Sequence, residues 1–188
     1  MRDEDLTEKL RAGDEQSFRF LVEKYGDNVY NTSLGLLQNP QDAEDISQEV
    51  FLEVFRSVKN FRGGSSVSTW IYRITINKSL ESLRRNKRKK RFAFLKSLSD
   101  SNNEAEEISD FVHPGILLEN KERASVLFKA ISKLPDNQKI AYTLSKVDGL
   151  SNKEISEITK VSLQSVESLL HRAKSNLKKY LTNYYKDI

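Results

Sequence analysis

The chain has no cysteine, which excludes a disulfide framework, a Cys-based zinc site and a thiol nucleophile. Three prolines and seven glycines are all that interrupt 188 residues, so little in the composition breaks helices. The only histidines are His113 and His171, and neither a paired-acid metal cluster nor a Gly-rich phosphate loop accompanies them. A catalytic constellation is therefore not expected, nor any cofactor. No apolar run approaches the roughly 20 residues that span a bilayer. The amino end, MRDEDLTEKL, is acidic and polar, unlike a secretory signal. These absences point to a cytoplasmic protein that is not an enzyme.

What is present is charge, unevenly laid out. The formal net charge is +4, with 31% charged against 37% hydrophobic residues. Residues 1–60 carry a balance of −6, residues 61–91 one of +9, residues 92–117 one of −4 and residues 118–188 one of +5. Such blocks suggest acidic surface for a protein partner and basic surface for nucleic acid. For any one block alone, a merely solvated face is the better explanation.

Phe18, Leu21, Val22, Tyr25 and Val29 recur at i, i+3, i+4, i+7 spacing and predict an amphipathic helix. Asn39-Pro40 closes the next helical segment. A helix is expected from about Gln41 to Val58, with Ile46, Val50, Val54 and Phe55 available to the core. Gly63-Gly64-Ser65-Ser66 breaks the pattern before a long helix beginning near Ser68. In that helix Tyr72, Ile76, Leu80 and Leu83 form a stripe suited to a core. Trp70, Arg73, Asn77, Glu81 and Arg84 form a neighbouring stripe suited to a ligand. Residues 92–117 are polar, acidic and punctuated by Pro114-Gly115, as a flexible linker would be. Helical pattern resumes with Val126, Leu127, Ala130, Ile131 and Leu134, stops at Pro135, and returns through Ile140, Ala141 and Leu144. The expected fold is all-α: two small helical domains, over 1–91 and 118–188, joined by the acidic linker.

Two unlike stretches suit nucleic acid. From Phe61 to Arg91 a Gly/Ser loop leads into a Trp- and Tyr-bearing helix and then a tract in which seven of eight residues, Arg84 to Arg91, are basic. Positive charge attracts phosphate. Stacking a base on an aromatic ring is worth about 1–3 kcal/mol, comparable with the few kcal/mol needed to extrude one. Such a loop and helix could capture one strand of opened DNA. The second stretch runs from Leu150 to Leu181. Gly149 can end the preceding helix, Ser151 and Glu154 fit a capping box, and Lys160-Val161-Ser162 makes a short turn. Val166, Leu170, Ala173 and Leu177 then face inward, as in a helix-turn-helix whose second helix enters the major groove. Asp42, Glu44, Asp45, Gln48, Glu49 and Glu53 crowd an acidic helix start. They can complement the helix dipole or dock a basic protein.

Together these motifs resemble the extracytoplasmic-function sigma factors of the sigma-70 family, the minimal promoter-recognition subunits of bacterial RNA polymerase. Phe18 to Phe61, including DAEDISQEVFLEVF, looks like the start of the sigma-2 domain; STWIYRITINKSLESLRR looks like the segment that melts and reads the −10 promoter element. KLPDNQKIAYTLSKVDGLSNKEISEITKVSLQSVESLLHRAKSNL is similar to the sigma-4 domain, which reads the −35 element.

The resemblance implies a non-catalytic subunit that directs promoter recognition, melting and initiation. Asp42, Asp45, Gln48, Glu49, Phe51 and Glu53 would meet the clamp helices of the largest core polymerase subunit, and the sigma-4 domain the flap of the second-largest. Arg62, Gly63, Ser65, Ser66, Ser68, Trp70, Arg73, Asn77, Arg84, Arg85 and Arg88 would serve the −10 element. Ser162, Gln164, Ser165, Ser168, His171, Arg172 and Lys174 would serve the −35 element. Glu81 stands where many relatives carry Asp, and Glu167 and Leu169 where many carry basic residues, which implies weakened −35 contact. An anti-sigma factor and a separate DNA-bound or guide-directed recruiter are the further partners implied. A stand-alone helix-turn-helix regulator is the competing reading; it accounts for the carboxyl half but not for the Trp helix.

Overall fold

Each helix boundary has a local chemical cause. The structure, a computed structural model, describes residues 3–99 and 121–186. α1 (Asp3–Arg11) precedes α2 (Glu15–Leu37), whose cap Asp14 accepts from the Ser17 amide at 2.8 Å. Gln38 ends α2 in the left-handed conformation, with its amide on the Leu34 carbonyl. Asn39 then starts α3 (Pro40–Ser57) by accepting from the Gln41 and Asp42 amides. Pro40 occupies the first turn, where an amide would have no helical partner. A 3-10 turn, Val58–Asn60, leads through residues 61–66 to α4 (Val67–Ser99). α5 (Lys121–Ser132), α6 (Asp136–Lys146), α7 (Asn152–Thr159) and α8 (Leu163–Lys186) follow. All regular structure among the described residues is helical, and none of their helices is long and apolar enough to cross a membrane.

α7 begins with the full capping box: the Ser151 hydroxyl accepts from the Glu154 amide while the Glu154 carboxylate accepts from the Ser151 amide. Gly149 supplies the positive φ, 68°, that the turn before it requires. Lys160, also left-handed, closes α7 ahead of α8.

Two expectations shift. The basic tract of residues 84–91 lies inside α4 rather than trailing from it, and α4 passes the boundary expected at residue 91. The cause is local: from Arg84 to Ser99 there is neither proline nor glycine to stop the helix. Phe55 is not a core residue; it is 56% exposed while Ile46, Val50 and Val54 are buried. The remainder of the expected linker, residues 100–117 with His113, lies outside the described residues.

α1, α2, α3 and the start of α4 close round one core built on Leu6, Leu21, Val29, Ile46, Val50 and Ile71. Burying each such side chain is worth about 1.5–3 kcal/mol. α5 and α8 form another around Ala130, Leu134, Ala173 and Leu177. A third cluster belongs to neither half alone: Leu36, Tyr72 and Ile76 of α2 and α4 pack with Ile140, Leu144, Ile155, Ile158 and Val166 of α6, α7 and α8. The stripe Tyr72, Ile76 and Leu80 thus does enter a core, but one completed by residues far along the chain.

Candidate functional site

Three surfaces carry the residues of interest. On α3, Asp45 and Gln48 are exposed, and Asp42, Glu49, Phe51 and Glu53 are half-buried. Asp42 accepts from Asn86 Nδ2 of α4 at 3.2 Å, and Glu53 pairs with Lys78 Nζ at 3.6 Å. Those two acids therefore brace α3 on α4 as well as colouring its surface. Phe51 packs against the first core. Asp45, Gln48, Leu52 and Phe55 follow one another round the free face, and Leu52 is 54% exposed. Phe55 meets the edge of Phe18 (5.4 Å between centroids), and exposed Phe20 lies nearby in sequence with Lys24 over its ring. Sequence reading found the acids of this face and missed its apolar centre, because periodicity shows a side, not whether anything covers it.

The second surface is the loop before α4. Ser66 caps the helix: its hydroxyl accepts from the Thr69 amide at 3.0 Å and bonds the Thr69 hydroxyl at 2.9 Å. Arg62, Gly63 and Ser66 are exposed; Ser65, Ser68 and Trp70 are half-buried. A hollow of about 500 Å³ opens between this loop and α1, lined by Thr7, Glu8, Arg11, Phe61, Arg62, Gly63, Ser65 and Ser66. Arg11 donates to the Phe61 carbonyl and so ties α1 to the loop. Trp70 is not part of that lining; it stacks on Phe61, with centroids 4.6 Å apart and planes 25° apart. The aromatic bordering the hollow is Phe61, a residue the sequence reading did not select. Further along α4, Asn77, Arg84, Arg85 and Arg88 are exposed. Arg73 is half-buried: its Nε donates to the Ile158 carbonyl at 3.2 Å and its Nη2 to the Glu157 carbonyl at 2.7 Å.

The third surface is the start of α8. Ser162 caps it, accepting from the Ser165 amide at 3.2 Å, and the two hydroxyls lie 2.8 Å apart. Ser162, Gln164, Ser165, Ser168, His171, Arg172 and Lys174 are all exposed, as a groove-entering helix requires. Glu167 shares a shallow dish with Ser168, His171 and Arg172, so its carboxylate sits among residues expected from the sequence to meet the −35 element. Leu169 faces away from them and lines a cleft with Arg73 and Asn77.

Polar contacts accompany the shared core. The Thr32 hydroxyl bonds both carboxylate oxygens of Asp148, at 3.1 and 3.0 Å, and Asn28 donates to the Tyr72 hydroxyl at 3.1 Å. Burial pushes the Asp148 carboxyl up to about 7, against the opposing effect of the Thr32 bond. Burial, and then the Asp148 charge, push the Tyr72 hydroxyl up to about 12. Burial also lowers the Lys139 ammonium, with Lys87 of the basic tract adding repulsion and Asp136 opposing both.

Comparison with known proteins fits the two halves separately. The description "Sigma-70 region 2" matches residues 21–89, and "Sigma-70, region 4" matches residues 125–177. The chain is 30% identical over 189 residues to the RNA polymerase sigma-H factor of Pseudomonas aeruginosa, covering 96% of this chain and 94% of that one. It is 31% identical over 176 residues to the ECF RNA polymerase sigma-E factor of Escherichia coli, covering 93% and 91%. In fold it is similar to CnrH in complex with the cytosolic domain of CnrY (TM-score 0.68, 18% identity, 96% and 97% covered). It is also similar to the sigma factor RpoE in complex with the anti-sigma factor NepR from Bartonella quintana (TM-score 0.66, 18% identity, 89% and 98% covered).

Proposed function

The chain belongs to the sigma-70 family, within its extracytoplasmic-function group, and we infer from this how its parts share the work of starting transcription. It is an RNA polymerase sigma factor, directing promoter recognition, DNA melting and initiation. Phosphodiester chemistry belongs to the polymerase, and we assign this chain no catalytic step. Acting on the polymerase is cytoplasmic work, and the cytoplasm is where we locate the protein.

Asp45, Gln48, Leu52 and Phe55 would seat the chain on the clamp helices of core polymerase, acids at the rim and apolar side chains at the centre. This reading draws on Leu52 and Phe55, both of which are over half exposed. An anti-sigma factor would compete for the same face. The hollow bordered by Phe61, Arg62, Gly63 and Ser65 would take an unpaired non-template base, and exposed Arg84, Arg85 and Arg88 would hold the backbone beside it. The α8 start would read the −35 element, with Gln164 and Arg172 toward base edges and Ser162, Ser165 and Lys174 toward phosphates.

The observation carrying this division of labour is the pairing, on one chain, of a region 2 segment bearing a basic helix with a region 4 segment bearing an exposed helix-turn-helix. Reconstituted transcription with cognate core enzyme on genomic fragments tests it, with start sites mapped by 5′-end sequencing. Discrete starts that require the protein are expected. Duplex binding of equal strength and specificity without polymerase, and no defined starts with it, would instead favour a stand-alone regulator.

A further inference from the structure

We propose that α1 supplies the base-discriminating wall of the hollow beside the α4 loop: the Glu8 carboxylate selects an unpaired base that carries an exocyclic amine and turns thymine away. This deepens the reading of that hollow as the seat of an unpaired non-template base, and rests on it.

α1 owes its place to its own pattern. Leu6 and Leu10, one turn apart, are buried in the first core. The Gly13 turn, with the Asp14 amide on the Lys9 carbonyl at 3.0 Å, then fixes the helix end against α2. Glu8 and Arg11 stand at i, i+3 spacing and Thr7 and Arg11 at i, i+4, so the three share one side of the helix. All three line the hollow of about 500 Å³. Arg11 donates to the Phe61 carbonyl, which holds this side of α1 to the loop. Thr7 is buried and Glu8 exposed, so the carboxylate is open to an incoming group.

The opposite wall has different chemistry. Arg62, Ser65 and Ser66 line it from the loop, and Arg62 and Ser66 are exposed. A guanidinium only donates, a carboxylate only accepts, and a hydroxyl does both. The hollow therefore sets an acceptor on its α1 side against donors on its loop side. Phosphate suits this poorly, because it meets Glu8 with like charge. The uncharged edge of a base suits it well.

Cytosine and adenine carry an amine beside a ring nitrogen that accepts; guanine carries an amine beside a ring N–H. Each can donate to Glu8 while its own acceptors face the loop. Thymine has no amine, and its O4 stands where cytosine carries one, so the carboxylate would meet a lone pair instead of a donor. A wall built to hydrogen-bond one base rejects an analogue that leaves it unpaired far more strongly than an apolar wall does.

The test uses holoenzyme reconstituted from core polymerase and the full-length chain, on a promoter mapped as above. Pre-opened duplexes carry 5-methylcytosine, thymine or an abasic site at each non-template position of the −10 element in turn. The first two share the ring methyl, so they differ in hydrogen bonding and not in bulk. At one position wild-type holoenzyme should bind 5-methylcytosine about tenfold more tightly than thymine, read by fluorescence anisotropy at fixed salt. Glu8→Gln, whose amide both donates and accepts, should bring the two within about twofold, chiefly by gaining on thymine. Glu8→Ala should lose the preference by weakening 5-methylcytosine, which keeps the test in hand if the glutamine variant does not fold. No preference at any position, or a preference that survives in these variants, overturns the proposal. If an abasic site costs affinity but 5-methylcytosine and thymine bind alike, the seat stands and the role of Glu8 falls. If an abasic site costs nothing anywhere, the seat is refuted and the proposal with it.

Discussion

At the scale of single residues, Asp148 has the clearest consequence. Its carboxyl, buried where the two halves pack, stands near 7 and would return toward the ordinary 3.8 once solvated. The groups facing it are Thr32 of α2 and Tyr72 of α4, with Glu154 of α7 acting on the same tyrosine. A raised acid means the packed structure binds the proton more tightly. The packing of the halves is therefore undiminished below about pH 4, weakens as pH rises to about 7, and changes no further above that; its equilibrium moves by at most about tenfold per pH unit. Fluorescence energy transfer between labels on the two halves should report a growing distance from about pH 5 to pH 7. Asp148→Asn, which keeps an oxygen for Thr32, should flatten the curve; a wild-type distance that ignores pH would remove Asp148 from the latch.

At the scale of elements, α3 and α4 each bury one face and leave another exposed. Replacing Leu52 and Phe55 together by serine should weaken assembly with core polymerase by at least tenfold, since both are over half exposed and form the apolar centre of the proposed docking face. The melting temperature should hardly move, and a large drop would mean the pair is structural. Neutralising Lys87, Arg88, Lys89 and Arg91 should flatten the salt dependence of DNA binding by about 0.7–0.9 per lost phosphate contact. An unaltered slope in a fluorescence anisotropy titration would mark the tract as a solvated surface.

The same elements explain what the sequence could disclose. The cap at Ser151 was readable because a cap is a bond between residues two or three apart, whereas Asn39-Pro40, read as a helix end, caps and opens the next helix. The α8 start was readable because Val166, Ala173 and Leu177 leave one polar side. Phe55 was misassigned and Leu52 passed over because an apolar periodicity says nothing of whether a partner arrives. Trp70 drew attention for its chemistry, yet its neighbour Phe61 borders the hollow, a relation fixed by a loop that has no period. The partner of the Tyr72 stripe lies beyond any local pattern: Ile155 and Ile158 are more than 80 positions away.

At the scale of the whole molecule, one helix serves two cores, and the halves are packed together by it. Small-angle scattering on the free protein should give a radius of gyration below about 20 Å, near the compact-chain value of about 16 Å. Halves moving independently would raise it to about 25 Å or more, and that result would contradict the packing described here.

The buried stripe of α4 has a last consequence, for the lifetime of surplus protein. Tyr72, Ile76 and Leu80 are greasy, adjacent and, once uncovered, able to adhere to any other uncovered copy. A chain that opened without an enzyme to receive it would be prone to clump. Packing the halves together thus doubles as protection: copies keep their stickiest surface out of reach of one another.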